Sequence, residues 1–163
     1  MENRRSIRTG LAVGLIALAL LVGAARPAQA FLDKTRFAAH LGVAYFCFHH
    51  WVLKPYQEQQ FASGAPHRTS AIVKGGIALL FAVHEVRVSS KIAHLSKDPL
   101  LEKVAGSVDG LTGSFGSIGQ RLKSGQFSPD DVKTLDAATT SVGAEAAADG
   151  APIKDVPVPV PGG

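Results

Sequence analysis

A single cysteine, Cys47, stands among the 163 residues of this chain. No internal disulfide can form, so packing alone must hold the fold. Cys47 sits in AYFCFHHW, among aromatic and apolar residues, and reads as a small buried hydrophobe. Signature motifs of chemistry are equally scarce. The sequence has no C-x-x-C-H for covalent haem attachment and no H-E-x-x-H for a metal. It has no G-x-S-x-G nucleophile elbow. Gly75-Gly76 follows neither a strand nor a phosphate-loop lysine, which argues against nucleotide binding. The expectation is a protein that is not an enzyme and needs no cofactor.

Long apolar runs are also missing. The longest, Leu11 to Ala25, covers about fifteen residues, short of the roughly 20 that span a bilayer. Arg4, Arg5 and Arg8 precede it, and the small-x-small signature Ala28-Gln29-Ala30 follows. A positive start, an apolar middle and a small-residue exit make the layout of an export signal. Residues 1–30 are therefore expected to be a signal peptide cut after Ala30, with Ala28 and Ala30 as the cleavage residues. The product would be secreted or extracytoplasmic, and membrane-attached only if the cut is not made. Asn3-Arg4-Arg5-Ser6-Ile7-Arg8 resembles a twin-arginine signal, which makes that export route an alternative to the general one. No cysteine stands at the cut, where Phe31 follows Ala30, so the lipoprotein route is not open.

The leader also explains the charge. The chain carries net charge +4 and a pI near 9.4. Four of its 17 basic residues (Arg4, Arg5, Arg8, Arg26) and one of its 13 acids (Glu2) lie in the leader, which leaves 13 against 12 downstream. No clustered basic face remains, and a nucleic-acid partner is not expected.

What the rest does have is helical periodicity. Phe37, Leu41, Tyr45, Phe48 and Val52 step by four, four, three and four, one face of a helix over about 33–54. Lys54-Pro55 is expected to end it, because the residue before proline avoids helical geometry. Eight of the eleven aromatics lie between Phe31 and Phe61, so this helix should anchor the core. A second helix is expected over 67–95. From Ala71 to Val83 only Lys74 is charged, the mark of a helix enclosed in the middle of a bundle.

A third helix, 99–123, starts at Pro99. Leu101, Val104, Val108, Leu111, Phe115, Ile118 and Leu122 alternate by three and four, an a/d seam. Gly106, Gly110, Gly113, Gly116 and Gly119 are expected to line it and let backbones approach. A fourth, 129–148, opens with Ser128 as N-cap and Pro129 behind it. Residues 149–163 form a Pro/Gly-rich tail, extended rather than helical. The fold expected is all-α: a small four-helix bundle-like domain over 31–148.

Six histidines are the residues that invite a functional reading. None is paired at the i, i+4 spacing that places two imidazoles on one metal. A ligand or metal site assembled between the first two helices would use His49 or His50 with His84 and Glu85. Arg87 would add to a polar patch, and Glu85 and Arg87 would enter interhelical ion pairs, with Lys54 or Asp33 as partners of opposite charge. The leading expectation is an exported, non-enzymatic interaction module of the envelope or medium. Its partner would be another envelope protein, or a second copy through the Leu101–Leu122 seam. The alternative is a haem or metal carrier built on those histidines.

Overall fold

The structure, a computed structural model, describes residues 28–159. All regular elements among them are helical, so the chain is all-α. It divides into two units, Met1–Leu32 and Asp33–Gly163. Of the first, residues 28–32 are described; they are helical, and Phe31 and Leu32 are exposed. Ala28 and Ala30 fall in this short stretch, while the rest of the expected signal lies outside the described residues. Among its described residues the second unit holds four helices. We label them α1 (residues 33–57), α2 (Arg68–Leu95), α3 (Pro99–Lys123) and α4 (Pro129–Ala148). No helix among the described residues is long and apolar enough to cross a membrane.

Local chemistry sets most helix ends. Asp98 caps α3 by accepting from the Leu100 N–H at 2.9 Å, with Pro99 at the first helical position. Ser128 and Asp131 form a capping box at the start of α4, again with proline behind the cap. Both α3 and α4 then end on a glycine with positive φ, Gly125 at 74° and Gly150 at 75°. In each case the next N–H reaches back five residues, Gln126 to the Arg121 carbonyl and Ala151 to the Ala146 carbonyl. This is the Schellman stop, which needs a left-handed residue that glycine adopts without strain. The connections over 96–98 and 124–128 are short enough to fold successive helices back antiparallel.

α1 does not stop at Lys54-Pro55. It widens into a π-helical turn over His49–Leu53 and continues as α-helix through Lys54–Gln57. The Lys54 N–H bonds to the His49 carbonyl, five residues back. Pro55 thus enters in the first turn of a restarted α segment, where its missing N–H leaves no gap in the ladder. The wide turn also brings the Trp51 carbonyl against α2. A methyl group on Gly75 would lie 3.1 Å from that oxygen.

The predicted α1 face (Phe37, Leu41, Tyr45, Phe48, Val52) is buried, and so is every seam residue of α3. Both belong to one core, with Phe48 edge-on to Phe115 at 6.0 Å. The seam is closed by the chain's own helices, so a second copy could reach it only by opening the bundle. α2 is less enclosed than expected. It buries Leu79, Ala82 and Val86, but Val73 is 53% and Leu80 43% exposed. A helix packed between two neighbours still keeps an outward side.

The α3 glycines do not line the seam. An added Cβ would meet nothing within 4 Å at Gly106, Gly110, Gly113 or Gly116; only at Gly119 would it touch a neighbour, the Leu79 side chain at 3.6 Å. At about 100° per residue, Gly106, Gly110 and Gly113 fall nearly opposite the seam.

Asp131 is buried beneath its capping box, and the Arg121 guanidinium donates to its carboxylate. Burial alone would raise this carboxyl; the Arg121 and Ser128 hydrogen bonds outweigh it and hold it below the usual range. A carboxylate lowered by folding stabilises the fold above its unfolded pKa, and the contribution is lost as pH falls through the folded value. Asp131→Asn is expected to cost about 1–2 kcal/mol at neutral pH, the loss of a cap. It should also flatten the acid limb of stability below about pH 4. Urea unfolding of both proteins from neutral to acid pH checks both.

Residues 151–159 have no regular structure, yet they are docked. Ala151 is buried, and Ile153 and Val158 pack on the core. The Val156 N–H donates to the Gly42 carbonyl at 3.0 Å. Gly42 is itself buried in α1, and a methyl group there would collide with the Lys154 carbonyl and come 2.8 Å from Val156 Cγ2. Both are on the tail, and one is backbone. Gly42→Ala is therefore expected to lift the tail off α1 and destabilise by about 1–3 kcal/mol. Limited proteolysis would show it as earlier cleavage within 151–159.

Candidate functional site

The histidines and acids expected to converge are distributed instead. His49 pairs with Asp155 of the tail, Nδ1 to the carboxylate oxygens at 2.9 and 3.1 Å. His50 stacks on Phe46 at 5.0 Å and meets Trp51 edge-on at 4.9 Å. His84 is exposed on α2. Glu85 is buried and takes its hydrogen bond from His40, 2.6 Å from Nδ1, rather than pairing with Lys54. Lys54 turns to Glu58 at 4.0 Å, and Asp33 accepts from Ser96 at 3.1 Å. Arg87 is exposed, with no ion pair among the described residues. It cannot share Glu85's partner, because residues two apart on a helix point to different sides. Among the described residues no group of three or more His, Cys, Asp or Glu is arranged to hold a metal.

What the fold does build is a cleft of about 460 Å³ where α1 ends and α2 begins. His50, Trp51, Lys54, Pro55 and Glu58 line it from α1 and its end. Gln60, His67, Ser70, Ala71 and Lys74 line it from the connection and α2. Its volume is in the range of small-molecule sites. The π turn brings Trp51 to the cleft, and π turns are frequent at functional sites. Lys74 holds its ammonium 5.7 Å from the centre of the Trp51 ring, a cation–π contact. Lys54 adds a second positive charge, and Glu58 is the one acid in the lining.

Two further features mark the same place. The Trp51 Nε1 is buried and has no hydrogen-bond acceptor among the described residues. Buried donors are paired as a rule, so a lone one calls for an explanation. His67, the residue before α2, has φ 61°, in the left-handed region that histidine enters more readily than most side chains. It makes no side-chain cap, and the first turn of α2 has no acid. The start of α2 therefore keeps its partial positive charge beside the cleft.

Other reactive groups are quiet. Cys47 is fully buried. Burial, helped by Glu85, pushes its thiol up to about 11, so it stays protonated near neutrality and unreactive. Tyr45 is raised too, by burial first and by Glu145 and Asp155. Its hydroxyl donates to the Thr139 carbonyl at 2.5 Å and ties α1 to α4. Asp109, on the surface, is lowered by hydrogen bonds from Ser90 and His94, which link α2 to α3.

Sequence periodicity missed the cleft residues Trp51, Lys54, His67 and Lys74. Two signals pointed toward them: the chain's one tryptophan, and the one charge between Ala71 and Val83. A comparison with known protein families, curated proteins and solved structures found no match for this chain.

Proposed function

We propose that this chain is an exported, non-enzymatic binding protein that seats a small ligand in the Trp51 cleft. The observation that carries the reading is the cleft itself, with its aromatic floor, two lysines and buried donor. The order of charge, apolar run and Ala28-Gln29-Ala30 in the first thirty residues supports export. The functional polypeptide on this reading starts at Phe31 and works in the envelope or the medium.

N-terminal sequencing and intact mass of the protein from cell fractions of its own host test the export half. A chain beginning at Phe31 outside the cytoplasm is expected. A chain still beginning at Met1 inside the cell would overturn it. Native mass spectrometry of the same material tests the binding half, which predicts a small molecule retained by the folded protein.

A further inference from the structure

Resting on that reading, we infer that the ligand of the Trp51 cleft presents an oxyanion, a carboxylate or a phosphate group, to Lys54, Lys74 and the Trp51 indole. Three independent observations converge on this chemistry. The lining carries two ammonium groups against one carboxylate, so it favours negative charge. The Trp51 ring lines the cleft, its Nε1 is a buried donor without an acceptor among the described residues, and an oxyanion supplies acceptors only. Ser70 lines the cleft from the first turn of α2, at a helix start with no capping side chain and no acid in that turn. The other two such starts, at α3 and α4, are occupied by Asp98 and by the Ser128–Asp131 box.

The site is also free to accept a guest. The Lys54–Glu58 pair is 4.0 Å apart and exposed on both sides, a contact worth little that a ligand displaces readily. Lys74 is held by the ring face alone among the described contacts, which leaves its three donors directed by no carboxylate. The indole thus fixes Lys74 near the cleft while the ammonium stays available for an anion.

Trp51, as the chain's one tryptophan, makes its emission a reporter from inside the site. The folded protein is titrated with sodium phosphate and, separately, sodium acetate, each at constant ionic strength set with chloride. Calorimetry gives the affinities. A saturable change in emission is expected with one or both anions and none with chloride. Response to phosphate alone or to acetate alone names the group; either supports the proposal. Lys74→Gln and Lys54→Gln are each expected to weaken binding about tenfold, the loss of one charge-assisted hydrogen bond. The circular dichroism spectrum should not change. No saturable response beyond the chloride control would overturn the proposal, as would unchanged, wild-type affinity in both lysine variants. An uncharged molecule retained by the host-purified protein would defeat the oxyanion while leaving the binding reading intact. A bare protein with no anion response would defeat both.

Discussion

Phe115→Ala is expected to lower the free energy of unfolding by about 3–5 kcal/mol, the range for emptying a buried aromatic site. Phe115 is fully buried in the α3 seam, and its ring meets Phe48 of α1 edge-on at 6.0 Å. The substitution removes the burial, opens a cavity and ends an aromatic pair worth about 0.5–1.5 kcal/mol beyond its area. Two neighbours that could collapse into the space, Leu111 and Ile118, are themselves fully packed seam residues. For a unit of this size the melting temperature should fall by roughly 10–20 °C. Differential scanning calorimetry checks it, and Phe115→Leu, which keeps most of the volume, should lose much less. A loss under about 1 kcal/mol would mean that α1 and α3 do not share a core.

The opposite sign is expected on the far side of the same helix. Replacing Gly106, Gly110, Gly113 and Gly116 together with alanine should stabilise by about 2–4 kcal/mol. Each contributes roughly 0.5–1 kcal/mol through lower backbone entropy of the unfolded chain and better helix propensity. A new Cβ meets no atom within 4 Å at any of the four, so no packing cost offsets the gain. All four lie inside one helix, at ordinary helical geometry. Gly75→Ala in α2 is the control. Its Cβ would sit 3.1 Å from the Trp51 carbonyl and 3.3 Å from Leu122 Cδ2, so the same replacement there should fail to stabilise. Urea unfolding of the quadruple and the single variant separates open glycines from packed ones.

The all-α character was legible because helix signals in this chain are local. The three-and-four stepping from Leu101 to Leu122 marks the buried face of α3, and Pro99 and Ser128-Pro129 stand where α3 and α4 begin. Interhelical facts were less accessible. Proximity in sequence suggested that the glycines lined the seam, although angular position puts most of them opposite it. The restart of α1 after His49–Leu53 depends on how a wide turn meets α2, which no local rule encodes. The cleft joins Trp51 to His67 and Lys74 across a left-handed turn, so its residue types carried no common spacing. The partner of Glu85 proved to be His40, 45 positions away, and no pattern along the chain pairs them.

The tail contacts set an order of events during synthesis. Lys34 donates to the Asp149 carbonyl across 115 positions, and His49 meets Asp155 across 106. On α1, then, groups wait for partners that the ribosome makes last. Until those residues emerge, Gly42 and its surroundings on α1 lie bare to any chaperone or protease nearby. Completion of this fold consequently waits for the region beyond α4, whichever compartment the chain folds in.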